Sequence, residues 1–280
     1  MILSRHLPRL LASAACIGVA ALTLGGCQTM SSSDITGSTG RGGLLANAMT
    51  PAAPEDAARR DTDWQREAKV SGNRYNADPR NSGAAIRYAE ALRHNGQRAQ
   101  AVAVLQRAAI YSPNDRAVLG AYGRALADNG DLRQALDVLG KAHTPDKPDW
   151  RILNAQGAVL DQMGRYSDAR RYYETALKIV PDESSVLSNL GLSYALSKNL
   201  PKAEETLRRA VAHDNGDKRV RQNLALVIGL QGRFKEAEDV ARADLPPDQA
   251  ASNIAYLRQM LAQQGRGAAP KKMAQTASAE

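Results

Sequence analysis

The sequence predicts an all-α protein: a right-handed superhelix (α-solenoid) of stacked helix pairs with a terminal capping helix. The first observation is a repeat of 34 residues, in which glycine recurs at one position, with one gap, and alanine at two others: Gly96, Gly130, Gly164 and Gly232; Ala101, Ala135, Ala169, Ala203 and Ala237; Ala108, Ala142, Ala176 and Ala210. The second is that aromatic residues make up only 4 % of the chain, which favours helices over sheets. The third is helical spacing of apolar residues within each repeat. Such units bury a core only when stacked.

The two predicted helices of each repeat show one apolar face each. In the third repeat, Leu153 and Leu160 mark the first helix, and Tyr173 and Leu177 mark the second. A small residue lies near the middle of every first helix, at Ala89, Gly123, Gly157, Gly191 and Ala225. We therefore expect the helices of a pair to approach each other closely.

The turn between the paired helices carries the repeated glycine. A left-handed residue ends many helices, and glycine adopts that conformation without steric cost. Lys198 replaces the glycine in the fourth repeat. Shortly after it, Pro201 suits the first turn of a second helix.

Five repeats occupy residues 82–251 and begin near Ser82, Arg116, Trp150, Ser184 and Lys218. A helix over residues 61–81 is expected to precede them as a half repeat. A helix over residues 252–264 is expected to follow, with Asp248 as a good N-cap, and to cover the fifth repeat. Residues 265–280 revert to Gly, Ala, Ser and Lys and are expected to be disordered.

These repeats resemble the tetratricopeptide repeat, a pattern of small, Tyr or Leu, Gly, Ala, aromatic or Leu, Ala and Pro over 34 residues. The fit is best between Leu153 and Pro181 and weakest in the fifth repeat, where Asp244 replaces the late alanine. The resemblance implies a concave surface, lined by the first helices, that binds another polypeptide.

The amino terminus has the features of an export signal over residues 1–26. Arg5 and Arg9 precede an apolar stretch. The segment Leu24–Cys27 then resembles the bacterial lipobox, which implies cleavage before Cys27 and acylation of that cysteine. An ordinary leader with an incidental thiol is the alternative. Residues 27–60 are rich in Ser, Gly, Ala and Pro, so we expect the lipidated cysteine to be followed by a flexible tether.

Localisation follows from the same resemblance. Gln28, rather than aspartate, follows the cysteine. By analogy with lipoprotein sorting in Gram-negative bacteria, this favours the periplasmic face of the outer membrane. The net charge of +8 is spread as scattered pairs such as Arg170–Arg171, so we expect a solvated surface and no nucleic-acid partner.

No catalytic, metal or cofactor site is expected. None of the four histidines has a second histidine at helical metal-binding spacing, and the mature chain would hold one cysteine. Gly191–Ala195 only faintly echoes a nucleophile elbow, because the second glycine and the strand are missing. The protein is therefore expected not to be an enzyme.

Polar residues that the packing pattern does not require mark candidate ligand contacts on the first helices. These are Glu90, Arg93, Arg124, Arg151, Asn154, Asp161, Asn189, Arg219, Gln222 and Asn223. Asparagine offers both a donor and an acceptor to a peptide backbone, and the alternative is that the asparagines are plain surface residues. Towards the carboxyl end the same side becomes apolar, at Leu192, Leu196, Leu226 and Leu230. These leucines either bind an amphipathic helix or pack against the next repeat.

A second resemblance covers most of the mature chain. It is carried by the leader and tether, by Arg87–Arg93 and Gly96–Leu105, and by Leu245–Ala250 and Ala255–Arg258. Together they are similar to the TadD-like tetratricopeptide lipoproteins of the tight-adherence (Flp) pilus assembly system. This implies a pilotin or assembly factor whose partner is the pilus secretin or another assembly component. A general periplasmic scaffold lipoprotein, in envelope biogenesis or cell-wall enzyme regulation, is the alternative.

Overall fold

A computed structural model describes residues 54–213 and 217–267. The export signal, Cys27, most of the tether and residues 268–280 lie outside this range. Within it the protein is all α-helical, as predicted, with twelve helices and no strand. In chain order they are α1 Pro54–Ala77, α2 Ser82–His94, α3 Arg98–Tyr111, α4 Arg116–Asn129, α5 Leu132–Lys141, α6 Trp150–Gln162, α7 Tyr166–Ile179, α8 Ser184–Leu196, α9 Leu200–Ala212, α10 Lys218–Leu230, α11 Phe234–Ala241 and α12 Pro247–Gly267.

Five helix pairs, from α2–α3 to α10–α11, correspond to the five predicted repeats. Four of the first helices begin after a side chain that caps them, at Asn81, Asp115, Asp149 and Asp217. Asp115 Oδ1, for example, accepts the N–H of Ala117 at 2.9 Å. Such a cap satisfies a backbone donor that the first turn leaves unpaired.

The predicted left-handed turns are confirmed. Gly96, Gly130, Gly164 and Gly232 have φ between +72° and +94°, and Lys198 adopts the same conformation at +65°. In the second repeat the N–H of Asp131 donates to the carbonyl of Leu126 at 2.9 Å and closes the end of α4.

The close approach is also confirmed in the second, third and fourth pairs, where the first helix carries a glycine. A Cβ atom at Gly157 would lie 2.5 Å from the ring of Tyr173, and one at Gly123 would lie 2.5 Å from Leu139. The second helices supply the large residues that fill this contact. At this one repeat position, the side chains of Leu105, Leu139, Tyr173 and Leu207 are 1 % exposed or less.

Neighbouring pairs stack through both of their helices. Each second helix packs against the first helix of the next pair, and the first helices of adjacent pairs also touch. A Cβ atom added at Gly120 on α4 would lie only 2.7 Å from Cδ1 of Ile152 on α6. Apolar surface that one pair would expose is thus buried by the next.

Both terminal helices are longer than expected from the sequence. Helix α1 begins at Pro54 and therefore includes residues 54–60, which the composition assigned to the tether. A proline in the first turn and the helix-forming residues after it favour this earlier start. Helix α12 runs over Pro247–Gly267 rather than 252–264, and Asp248 lies in its first turn. Its buried Leu257 packs against Gly229 of α10 and covers the last pair.

Asp161 departs from its expected place on the ligand-binding side. The residue is only 6 % exposed. Its carboxylate accepts the hydroxyl of Tyr173 on α7 at 2.9 Å and that of Ser193 on α8 at 2.7 Å. Asp161 thus connects three helices across the third and fourth repeats. Burial raises its pKa from 3.8 to about 6, and the two hydrogen bonds to the charged form oppose part of that rise.

No helix within residues 54–213 and 217–267 is both long and apolar enough to cross a membrane.

We expect opposite stability effects from alanine at two glycines in the second repeat. A Cβ atom added at Gly130 or at Gly140 would meet no other atom within 4 Å, but only Gly130 has a positive φ. Gly130→Ala should therefore lower the free energy of unfolding by about 1 kcal/mol, whereas Gly140→Ala, inside α5, should raise it by up to about 1 kcal/mol. Urea denaturation followed by circular dichroism measures both. Equal effects would show that backbone conformation does not decide the turn.

We also expect Asp161→Asn to change how stability depends on pH. The pKa of Asp161 is higher in the folded protein than in the unfolded chain, so its contribution is fully present below pH 3.8 and is lost as the pH rises through about 6. Lowering the pH from 7 to 4 should therefore stabilise the wild type relative to Asp161→Asn, by up to about 3 kcal/mol. Denaturant titrations at several pH values measure this. Parallel curves for the two proteins would contradict the expectation.

Candidate protein-binding groove

The first helices of the five pairs, α2, α4, α6, α8 and α10, lie side by side, and each touches the next. They form one continuous surface along the array, which we call the groove face. All ten candidate residues belong to these helices. The structure therefore places all ten on adjacent helices, although Asp161 faces inward and the exposure of the others differs.

A polar ladder crosses the groove face from α6 to α10. Asn189 Nδ2 donates to Asn154 Oδ1 at 3.0 Å, and Asn223 Nδ2 donates to Ser188 Oγ at 3.0 Å. In both pairs the residues are 35 positions apart, one repeat plus one residue. Asn154, Ser188 and Asn189 are at most 9 % exposed. These side chains form the floor of the groove face rather than its rim.

The ladder leaves some hydrogen-bonding capacity unused. Asn154 Nδ2 and Asn189 Oδ1 have no partner among the described residues. Both atoms keep some contact with solvent. Two other unpaired atoms, His143 Nδ1 and Gln162 Nε2, are by contrast completely buried. The floor thus offers a donor and an acceptor, which is what a peptide backbone requires.

Charged side chains gather at the amino-terminal half of the groove face. Arg93 on α2 forms a part-buried ion pair with Asp128 on α4. Arg124 lies one turn before Asp128 and is half-buried, and burial lowers its pKa. Glu90 is exposed. The guanidinium of Arg151 lies 4.3 Å from the centre of the Trp150 ring.

The carboxyl-terminal half of the groove face includes partly exposed leucines on α8. Leu192 and Leu196 on α8 stay partly exposed. Leu226, by contrast, is 2 % exposed and packs in the core that α10 shares with α12, and Leu230 packs against the same core. Each of the two interpretations of the leucines therefore applies to one helix. The α10 leucines pack internally, and the α8 leucines remain available for a ligand.

The last three candidates lie on α10. Gln222 and Asn223 are half-buried. Exposed Arg219 pairs with Asp217, the cap of the same helix, at 2.8 Å. This local pair occupies its guanidinium near the helix end.

Two residues of the groove face, Ser188 and Asp128, were not predicted from the sequence. Ser188 occupies the repeat position of Asn154, one repeat later, and completes the ladder. Asp128 was missed although it lies 35 residues after Arg93. The shared signal is a polar pair separated by one repeat plus one residue, because this spacing places side chains opposite each other on adjacent first helices.

Within the described residues, no three His, Cys, Asp or Glu side chains are placed to hold a metal ion.

Comparisons with known proteins agree with this architecture. Residues 86–148 and 154–218 match one family model described as the tetratricopeptide repeat, and residues 219–243 match a second with the same description. Together these segments make up more than half of the chain. A comparison with curated protein sequences gives no match.

Several solved structures share the fold. The crystal structure of PilW, described as a widely conserved type IV pilus biogenesis factor, is 15 % identical, covers 76 % of this chain and 98 % of that one, and gives a TM-score of 0.59. PilF of Pseudomonas aeruginosa is 19 % identical, with 66 % and 96 % covered and a TM-score of 0.53.

A further similar structure comes from the APC/C hetero-tetramer Cut9–Hcn1, which is 12 % identical with a TM-score of 0.59. It covers 74 % of this chain, which spans only 41 % of that one. At such identities the likeness is one of fold. With the repeat matches, the stacked helix pairs and the left-handed turns in agreement, this chain belongs to the tetratricopeptide-repeat family.

Proposed function

We propose that this protein is a non-enzymatic outer-membrane lipoprotein that binds a protein partner on its groove face. Its role is that of a pilotin or assembly factor for the secretin of the tight-adherence (Flp) pilus. The observation that carries the binding function is the continuous groove face, with unpaired amide atoms on its floor and two partly exposed leucines on α8.

The groove face suits a peptide segment rather than a small molecule. It extends over five adjacent helices, each of which touches the next. Floor atoms of Asn154 and Asn189 can bind main-chain groups of a bound segment, while Leu192 and Leu196 can receive apolar side chains. This is the usual division between affinity from the backbone and specificity from side chains.

The pilus assignment draws on two separate lines of support. One is the resemblance of the sequence to the tight-adherence lipoproteins. The other is the likeness of fold to PilW and PilF, of which this chain covers nearly the whole length. The description of PilW as a pilus biogenesis factor applies to that protein and makes the same class of role reasonable here.

Acylation at Cys27 would give the groove face its place of action. Two or more acyl chains anchor a protein stably, whereas one holds it only marginally. Confinement to one membrane raises the effective concentration of a membrane partner, so modest affinity for its segment is sufficient.

Cys27→Ala is expected to release the protein from the membrane and to reduce the amount of secretin multimers in the outer membrane. The substitution lies outside the helical array, so the fold should be retained. Membrane fractionation and immunoblotting of the secretin measure the two effects. Normal multimer levels in a strain whose protein has become soluble would contradict the pilotin role.

Leu192→Gln combined with Leu196→Gln is expected to weaken crosslinking of the protein to its partner in cell envelopes by at least about tenfold, through the loss of apolar contact. Because both side chains are already partly exposed, the melting temperature should change little. Ile110→Gln, at a side chain 72 % exposed on α3, is the matched control and should leave crosslinking unchanged.

Mass spectrometry of the crosslinked product distinguishes the two candidate roles. Secretin peptides support the pilus role, whereas peptides of another envelope protein would support a general periplasmic scaffold. Equal loss of crosslinking in Ile110→Gln would place the binding surface outside the groove face.

A further inference from the structure

Arg124 is a charged residue of the groove face that has no partner within residues 54–213 and 217–267. It lies on α4, the first helix of the second repeat, and its side chain is half-buried. Among the described residues it takes part in no hydrogen bond and no ion pair. Its Nη1 atom lies 3.6 Å from the Cβ position that Gly120 lacks, one turn earlier on the same helix. The guanidinium therefore lies beside the backbone of the preceding turn, at a separation of ordinary van der Waals contact.

The neighbouring carboxylates do not pair with Arg124. Asp128 on the same helix is bound to Arg93. Asp149 caps α6 and accepts the N–H of Arg151 at 2.8 Å. Glu90, on the adjacent helix α2, acts on Arg124 only at longer range.

An unpaired, half-buried guanidinium is unfavourable for the folded protein. Burial removes water from the charge and Arg93 adds repulsion from a like charge, so both lower the pKa of Arg124, while the more distant carboxylates of Glu90, Asp149 and Asp128 offset part of that change. A carboxylate that docks against it would restore the lost interactions with charge-assisted, often bidentate hydrogen bonds.

The rest of the groove face differs in character. From α6 to α10 its floor consists of neutral amides and a serine, and its exposed leucines lie on α8. A segment that follows the groove face would thus meet an unpaired positive charge at the second repeat and a neutral, apolar surface at the fourth. Charge complementarity at one end and apolar contact at the other would define both the orientation and the register of the segment.

We propose that Arg124 is a specificity-determining residue that binds the side-chain carboxylate of an Asp or Glu in the partner segment. The proposal rests on the proposed function, since it requires that the groove face bind a polypeptide. It adds the chemical class of one anchor residue, an acidic side chain, and its position relative to apolar residues that contact α8.

The test uses the purified full-length protein and a displayed library of random twelve-residue peptides. The peptides are joined to the carrier through their carboxyl ends, so that only side-chain carboxylates are available. Binders weakened by the double substitution Leu192→Gln and Leu196→Gln are retained as groove ligands. These ligands are expected to share an acidic residue at one position.

Arg124→Gln should weaken these ligands by roughly 10- to 100-fold, the usual range for a hydrogen-bonded charge. Arg133→Gln, an equal loss of charge at an exposed residue of α5, is the control and should change affinity less than about twofold. Arg124→Glu should recover binding when the acidic residue of the peptide is replaced by lysine. The unfolding temperature of Arg124→Gln should equal or exceed that of the wild type, a result that a structural role would reverse.

Groove ligands that lack a shared acidic residue and bind Arg124→Gln normally would overturn the inference and leave the proposed function intact. A lower unfolding temperature for Arg124→Gln, with no recovery by the charge exchange, would likewise overturn it. If no peptide is sensitive to the leucine substitutions, the groove face itself is rejected as the binding surface, and the inference fails with it.

Discussion

The central pairs of the array share one steric constraint, the contact between a glycine in the first helix and a large residue in the second. Gly157 faces the ring of Tyr173, and Gly123 faces Leu139, at separations that leave no room for a Cβ atom. This contact brings two helix backbones close together and buries the large side chain almost completely. Because these pairs share this contact, the apolar surface that one pair leaves exposed is buried by the next, and the array can continue.

A functional surface follows from this regular stacking. Adjacent first helices lie near enough for side chains one repeat plus one residue apart to meet, as Asn154 and Asn189 do. Polar residues on the floor therefore satisfy part of each other's hydrogen-bonding capacity, which limits the cost of their burial. The atoms that remain are held by neighbours and are already oriented for a ligand.

Two charged residues, Asp161 in the interior and Arg124 on the groove face, have different environments. Asp161 is buried between three helices and receives two hydroxyl hydrogen bonds, and its raised pKa reflects the desolvation that these bonds only partly offset. Arg124 is half-buried and has no partner among the described residues. The first arrangement links α6, α7 and α8, whereas the second leaves a guanidinium for the acidic side chain that we propose as its ligand.

The 34-residue period was sufficient to predict the helix pairs, their turns and the small residues of the first helices, because it repeats the same local chemistry at Gly130 and Gly164 or at Gly123 and Gly157. The large residues that fill the contacts, such as Leu139, became evident from the packing. The sequence also placed the candidate residues on the correct helices. The packing of the repeats was needed to show that Asp161 faces inward while Arg124 has no partner among the described residues, and that Leu226 packs against the core while Leu192 stays partly exposed. The physical reason is that exposure at these positions depends on the neighbouring repeat and on α12, whose packing follows from three-dimensional distances rather than from local spacing.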